Sequence, residues 1–325
     1  MKINSKKKLK SWISAARLET IPLSISGIII GSFYSFFLRK FDILIFILAL
    51  LTAISYQILS NFANDYGDGI LGTDDNRIGP KRSIASGEIS TSELKKAISI
   101  NIFISVSLSY FLIKYSFGTN YYLLLIFLIL SILSVVAAIK YTMGKSPYGY
   151  KGLGDIFVFV FFGLISVMGS SFLYTLKLDF NLLPIAVSLG FLCVGVLNLN
   201  NIRDIENDAK MKKKTIPTRI GFKLSKYYHN FLITLPIILT IFWANQFSIF
   251  DYATHESDMT NENFEISYNH FLIILALIPL LFHLAKVHLA KVPMQFKPLL
   301  KQLALSIFLY SILIAIFLFN ESKFF

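Results

Sequence analysis

The sequence contains a single cysteine, Cys193, which falls within a long apolar run. One thiol excludes a disulfide within the chain and a metal site built from several thiolates. Walker-type phosphate loops, HExxH pairs and CxxC pairs are also absent from the 325 residues, and the five histidines are dispersed. Catalysis by a thiol, a zinc ion or a Walker loop is therefore not predicted.

Charged residues are also scarce, at 15% of the chain, whereas hydrophobic residues make up 55% and the mean hydropathy is +0.63. Several apolar runs approach the roughly 20 residues that cross a bilayer as a helix. We therefore expect an all-α integral membrane protein, one domain over residues 1–325 formed by a bundle of about nine transmembrane helices. The predicted spans are 18–38, 41–60, 94–114, 120–140, 153–176, 180–199, 228–246, 268–286 and 299–319.

The distribution of basic residues predicts the orientation of the bundle. The chain has 31 Lys and Arg residues against 19 Asp and Glu, and most of the cations fall in alternate connecting segments, beginning with the N-terminus. Because short cytoplasmic loops are rich in Lys and Arg, the N-terminus is predicted to be cytoplasmic. The excess positive charge is expected to meet acidic membrane lipid. Neither nucleic acid nor an obligate protein partner is expected.

A polar stretch, residues 61–87, follows the second span and is predicted to be the chemical centre. Its first four amides and acids recur at spacings of three and four, so a helix would place them within roughly a 100° arc of one face. Three glycines, at 67, 69 and 72, are expected to break this helix and to permit tight turns or the close approach of a ligand. The amides and acids are Asn61, Asn64, Asp65, Asp68 and Asp74, and the cations that follow are Arg77, Lys81 and Arg82.

A second stretch, residues 198–221, ends the sixth span and repeats the order of amides, acids and bases. If it is helical, Asp204 and Asp208 share a face with Asn198 and Asn201 within roughly a 120° arc, whereas Glu206 points elsewhere. Two cations of this stretch, Lys214 and Arg219, could neutralise a phosphate. The basic run at 212–214 is also typical of a positive-inside loop.

Three more polar residues are predicted at the same membrane face. Arg17 lies at the start of the first span, where it is expected either to reach the lipid headgroups or to point into a cavity of the bundle. Tyr141 and Lys145 follow the fourth span. They would share one helix face, presenting a phenol and an ammonium together, if the helix extended that far.

The two acidic stretches must emerge on the same side of the membrane, because four complete spans separate them. Carboxylate oxygens suit Mg²⁺, which binds through one or two carboxylates together with substrate phosphates. Nearby cations would hold the same phosphates. One such string alone is more simply interpreted as a solvated loop, but two at one face predict a pair of sites for Mg²⁺ and a diphosphate.

These motifs resemble those of the UbiA superfamily of intramembrane prenyltransferases over nearly the whole chain. Asn64-Asp65-x-x-Asp68 is similar to the first aspartate-rich motif, Asp204-x-x-x-Asp208 to the second, and Tyr141-x-x-x-Lys145 to a further family motif. The resemblance implies a UbiA-like bundle that binds an isoprenyl diphosphate through Mg²⁺. It implies metal binding by Asn64, Asp65, Asp68, Asp74, Asp204 and Asp208, with Asp68, Asp204 and Asp208 preferred and Asp65 alternatively orienting its neighbours. The cations for the diphosphate or an acceptor carboxylate would be Arg17, Arg77, Lys81, Arg82, Lys145, Lys214 and Arg219. The ring of Tyr141 would stabilise an allylic cation.

Longer stretches narrow the resemblance to the branch of the superfamily that prenylates 1,4-dihydroxy-2-naphthoate in menaquinone biosynthesis. They are NDYGDGILGTD, RIGPKR, KYTMGKSPYGYKGLGD and NNIRDIENDAKMKKKTIPTRIG. The broad family commonly has an aspartate where Gly72 stands, and Asp74 is expected to replace it. The resemblance implies Mg²⁺-dependent transfer of a polyprenyl group from polyprenyl diphosphate to the naphthoate, with loss of its carboxylate, giving demethylmenaquinone. The expected location is a bacterial cytoplasmic (inner) membrane, with the active site toward the cytoplasm.

Three alternatives remain open from the sequence. A relative in the same superfamily would prenylate another aromatic acceptor, such as 4-hydroxybenzoate or homogentisate. A membrane transporter would also use intramembrane acids, but it would place them near the bilayer midplane, whereas these acids lie at predicted helix ends beside cationic loops. A structural scaffold would leave the paired acidic stretches unexplained.

Overall fold

The computed structural model describes residues 5–72, 84, 86–254 and 268–323. Over those residues the chain forms nine helical segments that are long and apolar enough to cross a membrane, as predicted. The helices are α1 (Ser5–Ala16), α2 (Ile21–Phe37), α3 (Ile43–Leu71), α4 (Thr91–Phe117), α5 (Tyr121–Lys140), α6 (Gly154–Val158), α7 (Ser170–Thr175), α8 (Leu183–Arg203), α9 (Ile205–Lys210), α10 (Ile216–Thr254), α11 (Tyr268–Leu289) and α12 (Phe296–Glu321). A π-helical segment, Phe159–Gly169, joins α6 to α7, and short 3₁₀ turns include Leu18–Thr20, Tyr148–Lys151 and Pro293–Gln295.

The centre of the bundle is formed by α2, α8 and α12. Helix α8 packs against α10, α12 and the π-helical segment, and α12 packs against α2 and α11. Large side chains such as Tyr310 and Phe317 of α12 are fully buried there. By contrast, α5 exposes Leu125, Ile129 and Leu133, as expected for a helix that faces lipid. The bundle therefore has a packed centre and an apolar periphery.

Two neighbouring spans pack on different parts of the bundle. Helix α5 packs mainly on α3 and α4, whereas the π-helical segment of the following span packs mainly on α2 and α8. Both nevertheless contribute side chains to the wall of one cavity, described below. The fold thus encloses a large space between these two groups of helices.

Polar side chains join the helices inside the apolar bundle. Ser55 and Ser105 pair at 2.7 Å between α3 and α4, and the buried rings of His229 and His283 pair through their Nε2 atoms at 3.0 Å between α10 and α11. The hydrophobic effect does not drive helices together inside a bilayer, so hydrogen bonds of this kind help to fix their register.

Several helices extend beyond the predicted spans at the end that carries the acidic stretches. Helix α10 begins at Ile216 instead of residue 228, with a break in helical geometry at Gly221 (φ 81°). Helix α3 runs on to Leu71, past the end of the predicted span at residue 60, as the helical spacing of the polar residues 61–68 predicted. Apolar length alone locates the part of a helix inside the bilayer, and it misses the polar turns that continue beyond it.

Candidate active site

A cavity of about 1410 Å³ opens within the bundle. One end of it carries Asp65, Asp68, Asp204 and Asp208, while the remaining wall is mostly apolar with scattered serine and threonine side chains. Aromatic rings form part of that wall, with Phe157 of α6 stacked on Tyr148 at 3.9 Å between ring centroids. The acids and cations that line the cavity among the described residues are Arg17, Glu19, Asp65, Asp68, Arg203, Asp204, Asp208, Lys213, Lys297 and Lys301.

The acidic part of the first stretch, residues 61–68, lies on the last turns of α3, as the spacing predicted. Asp65 is 1% exposed and Asp68 is 8% exposed, and both line the cavity together with Asn64. The amide oxygen of Asn64 accepts a hydrogen bond from Thr142 Oγ1 at 3.2 Å. Asn61 also lines the cavity, and its amide donates to the Ala16 carbonyl at 2.8 Å. The helix therefore directs all four predicted amide and carboxylate side chains to one space.

Arg17 points into the cavity, one of its two expected positions. It adopts a left-handed conformation (φ 47°, ψ 59°) at the junction between α1 and the turn that precedes α2. This break directs the guanidinium inward, so that Nη2 donates to Asp65 Oδ1 at 2.6 Å. The first span is thus two helices, and the bend between them delivers a cation to a carboxylate 48 residues away.

Two glycines of the first stretch do not break the helix, contrary to expectation. Gly67 and Gly69 are helical, and α3 ends only at Gly72, whose φ of 69° closes the helix. A Cβ at position 67 would lie 2.7 Å from the Thr142 carbonyl oxygen, and one at 69 would lie 2.9 Å from Ile84 Cβ. Their small size therefore serves the approach of neighbouring segments of this chain.

The second acidic stretch crosses a break between two helices. Helix α8 ends at Arg203 and α9 begins at Ile205, with Asp204 between them at φ −97° and ψ 12°. Helical spacing survives the break because the Asp208 N–H donates to the Asp204 carbonyl at 2.8 Å. Both carboxylates therefore line the same cavity, one turn apart.

Cations adjacent in sequence hold these two carboxylates. Arg203 donates from Nε and Nη2 to the two oxygens of Asp204, at 2.8 and 2.6 Å, and from Nη2 to Asn200 Oδ1 at 2.7 Å. Lys213 Nζ lies 3.8 Å from Asp208 Oδ1. Asn198, which was expected beside these acids, instead faces α10, where its amide donates to the Ser225 carbonyl at 3.1 Å.

Tyr141 lies between the two acidic stretches. It lines the cavity, and burial raises the pKa of its phenol well above the ordinary value. The negative charges of Asp68, Asp155 and Asp208 act in the same direction. The phenol consequently stays neutral near pH 7, and both stretches lie close enough to influence it.

Lys145 does not share a helix face with Tyr141, contrary to the conditional expectation. Helix α5 ends at Lys140, and Gly144 then adopts φ 100°, which turns the chain away from a helix. Lys145 is exposed and does not line the cavity. The same holds for Lys214 and Arg219, and Arg219 donates instead to the Lys151 carbonyl at 2.8 Å. The remaining predicted site residues, Asp74, Arg77, Lys81 and Arg82, lie outside the described residues.

Four cations that line the cavity were missed by the sequence reasoning: Arg203, Lys213, Lys297 and Lys301. Arg203 directly precedes a predicted metal ligand, which was a usable signal. Lys297 and Lys301 stand at i, i+4 near the start of α12, and this spacing marked a shared helix face. What the sequence did not show is that the first turns of α12 lie beside the second acidic stretch, where Pro293 shares a small pocket with Ile205 and Ala209.

The donor set fits a hard cation only in part. Among the described residues no three His, Cys, Asp or Glu side chains form a cluster that could hold a metal ion. The carboxylates come instead as two pairs on one cavity, Asp65 with Asp68 and Asp204 with Asp208. Such pairs match the way Mg²⁺ binds through one or two carboxylates and completes its shell with substrate oxygens and water.

A membrane-embedded cavity with an acidic, cation-rich end and a long apolar wall defines a class of enzyme whose substrate joins a phosphate-like head to a hydrocarbon tail. The chain belongs to the UbiA prenyltransferase family, whose model matches residues 25–254. It is a multi-pass membrane protein and a prenyltransferase, so the transporter and scaffold alternatives are excluded.

The chain is similar to curated and solved members of that family. It is 39% identical over 312 residues to 1,4-dihydroxy-2-naphthoate octaprenyltransferase of Haemophilus influenzae, covering 95% of this chain and 96% of the relative. A UbiA homologue from Aeropyrum pernix superposes with a TM-score of 0.66 at 16% identity, covering 92% of this chain and 98% of the other. A UbiA homologue from Archaeoglobus fulgidus bound to DMAPP and Mg²⁺ gives 0.61 at 16% identity, covering 98% and 100%. These neighbours establish the predicted UbiA-like fold.

Proposed function

We propose that this protein transfers a polyprenyl group from polyprenyl diphosphate to 1,4-dihydroxy-2-naphthoate, with loss of the acceptor carboxylate, to give demethylmenaquinone. The observation that carries this function is the meeting of two carboxylate pairs, Asp65–Asp68 and Asp204–Asp208, at one end of a large apolar cavity. The acceptor is supported by the 39% identity to the naphthoate octaprenyltransferase of H. influenzae over nearly the full length of both chains.

The polar end would hold the diphosphate head. Asp68, Asp204 and Asp208 are the preferred Mg²⁺ ligands, with Asn64, Asp65 and Asp74 as further candidates. Mg²⁺, when bound, would supply the charge that stabilises the departing diphosphate. The Archaeoglobus homologue solved with DMAPP and Mg²⁺ supports this assignment by analogy of fold.

Cations on the cavity wall would orient the acids and complete the anion site. Arg17 fixes Asp65 and Arg203 fixes both oxygens of Asp204, so these carboxylates are held before a ligand arrives. Such preorganisation lowers the cost of assembling charges when the substrate binds. Lys297 and Lys301 are additional candidates for the diphosphate or the acceptor carboxylate, because they line the same cavity.

The apolar wall would take the prenyl chain and exclude water from the reacting carbon. In the transfer, the allylic C–O bond breaks as the diphosphate leaves, an electron-rich ring carbon of the acceptor forms the new C–C bond, and the carboxylate leaves as CO₂. The neutral ring of Tyr141 can face positive charge that develops on the allylic carbon. Exclusion of water prevents hydrolysis of that carbon.

We place the active site at the cytoplasmic side of a bacterial inner membrane, with the N-terminus cytoplasmic. The acidic end of the cavity is also where α3 and α8 end and α12 begins, and these termini adjoin cation-rich segments. Excess Lys and Arg marks the cytoplasmic side of membrane proteins. Labelling of single introduced cysteines from either side of sealed vesicles would test the orientation.

The direct test is prenyl transfer by purified protein in lipid with Mg²⁺ and a labelled polyprenyl diphosphate. The naphthoate, 4-hydroxybenzoate and homogentisate are offered in separate reactions, each with a chelated control. We expect labelled demethylmenaquinone from the naphthoate alone, and only with Mg²⁺. Product from another acceptor alone would overturn the acceptor assignment, and transfer that persists after chelation would overturn the metal assignment.

A further inference from the structure

Tyr150 contacts both acidic stretches through different parts of its side chain. Its hydroxyl donates to Asp68 Oδ1 at 2.7 Å. Its ring lies under the ammonium of Lys213, with Nζ 5.2 Å from the ring centroid, within the range of a cation–π interaction. Lys213 in turn lies 3.8 Å from Asp208 Oδ1. A continuous series of contacts therefore joins Asp68 on α3 to Asp208 on α9.

The short turn that carries Tyr150, Tyr148–Lys151, is fixed on both sides. On one side the Gly149 N–H donates to the Tyr141 carbonyl at 3.0 Å, and a Cβ on Gly149 would lie 2.7 Å from that oxygen. Tyr141, which lines the cavity, is thus joined directly to the turn by a backbone hydrogen bond. The close approach requires glycine.

On the other side, the loop after α9 and the first turn of α10 hold the turn. The Lys214 N–H donates to the Tyr150 carbonyl at 3.0 Å, and Arg219 Nη2 donates to the Lys151 carbonyl at 2.8 Å. Gly152, at φ 83°, lets this loop come so close that a Cβ there would lie 2.4 Å from the Lys214 carbonyl oxygen. Lys214 and Arg219 therefore support the turn from outside the cavity.

We infer, on the basis of the proposed Mg²⁺–diphosphate site, that Tyr150 is a positioning residue that sets the separation of the two carboxylate pairs. A diphosphate held by two metal-binding pairs requires their spacing to be fixed within a fraction of an ångström. No single helix carries both pairs, so a link between α3 and α9 is needed. Tyr150 supplies it, with the hydroxyl acting on Asp68 and the ring acting on Asp208 through Lys213.

The test measures ligand binding and not only turnover. Geranyl S-thiolodiphosphate, a slowly reacting diphosphate analogue, is titrated into purified full-length protein in nanodiscs by calorimetry at a series of Mg²⁺ concentrations. Tyr150→Phe removes the hydroxyl but keeps the ring under Lys213. We expect the dissociation constant and the Mg²⁺ concentration for half-maximal binding to rise roughly tenfold, the size of a lost hydrogen bond to a charged group.

Tyr228→Phe is the matched control. Tyr228 donates to Asp155 Oδ2 at 2.8 Å, which is the same kind of bond, and neither residue lines the cavity. This variant should bind the analogue within about twofold of the wild type. Equal binding by Tyr150→Phe and the wild type, at every Mg²⁺ concentration, would overturn the positioning role.

A double-mutant cycle tests the link itself. Lys213→Met removes the cation at the other end and leaves Tyr150 in place. If Tyr150→Phe does not fold, the single variant still tests the link, because binding of the analogue by Lys213→Met at the wild-type affinity would overturn it. If the two residues act through one link, the double variant should lose less than the product of the two single effects. Strictly multiplicative losses would show two independent contacts and overturn the link.

Failure of the proposed function gives a different pattern. A wild-type protein that binds the analogue with Mg²⁺ but does not prenylate the naphthoate would refute the acceptor and leave Tyr150 open to the same binding test. A wild-type protein that does not bind the analogue in Mg²⁺ would refute the diphosphate site and the role of Tyr150 together.

Discussion

Among the described residues, the two acidic stretches face one cavity but pair with cations at different distances along the chain. In the second, the cations are close in sequence, because Arg203 directly precedes Asp204 and Lys213 follows Asp208 by five residues. In the first, Arg17 reaches Asp65 from the junction between α1 and the turn before α2, across 48 residues. The second stretch therefore carries much of its own geometry, whereas the first depends on the bend between α1 and α2.

The largest expected loss of prenyl transfer follows removal of a carboxylate charge from either stretch. Asp68→Asn and Asp204→Asn each keep the shape of the side chain but remove the negative charge. Each should lower the rate of prenyl transfer by roughly 10²–10³-fold, a magnitude typical of losing one charge-stabilising group. The rate is measured with saturating acceptor over a range of Mg²⁺, and chromatography in detergent checks that the variants remain folded. Mg²⁺-dependent turnover at the wild-type rate in both variants would contradict the paired-carboxylate site.

Removing the cation that contacts each stretch tests the two stretches one at a time. Arg17→Gln leaves the nearly inaccessible Asp65 without its arginine, and breaking a buried ion pair costs about 3–5 kcal/mol. We expect a lower temperature of unfolding together with lost transfer, and partial recovery of stability when Asp65→Asn is added. The recovery distinguishes loss of an ion pair from general damage to the α1–α2 bend.

Arg203→Gln is the companion change in the second stretch. Asp204 and Asp208 remain one turn apart through the backbone hydrogen bond between them, so local geometry persists. The Arg203–Asp204 pair is bidentate and its arginine is more buried than Arg17, so we expect a loss of stability at least as large as for Arg17→Gln, together with a clear rise in KM for the diphosphate. A KM equal to that of the wild type would contradict the role of Arg203 in holding Asp204.

The same contrast explains what could be predicted from the sequence. Helix periodicity placed Asp65 and Asp68 on one face and Asp204 beside Asp208, because spacings of three and four are local properties. The choice of Arg17 for the cavity, and the link from Tyr150 to Asp68, depend on which distant segments pack together. No spacing within one segment encodes that information.

Glycine shows the same limit. The sequence predicted that Gly67 would break the helix, but α3 continues through it. The missing Cβ instead leaves room for the backbone at Thr142. The spacing of four residues predicted that Lys145 shares a helix face with Tyr141, but the φ of 100° at Gly144 is not helical. Glycine has both uses, and only the packing around each position decides between them.

Gly67→Ala should therefore destabilise the first stretch. Alanine normally favours a helix over glycine by about 1 kcal/mol, but here its Cβ would lie 2.7 Å from the Thr142 carbonyl oxygen. Overpacking of this kind costs about 1–3 kcal/mol, so the net change should be a lower unfolding temperature. Gly169→Ala is the control, because its Cβ would have only Ile165 at 3.7 Å. Equal or higher stability of Gly67→Ala would show that the contact with Thr142 is easily relieved.

Gly72→Asp should have the smallest effect, although it restores the aspartate that the broad family commonly has there. Gly72 ends α3 at φ 69°, where an L-residue pays roughly 1 kcal/mol or more, and its backbone N–H donates to the Asp68 carbonyl. With Asp74 expected to supply the acid, the new carboxylate should give no increase in transfer rate and a slightly lower unfolding temperature. Gly72→Asn is the matched variant, since it has the same shape and backbone cost without the charge. The two should be indistinguishable in an Mg²⁺ titration of prenyl transfer, and a clear gain by Gly72→Asp over Gly72→Asn would mean that the first stretch lacks an acid which Asp74 does not provide.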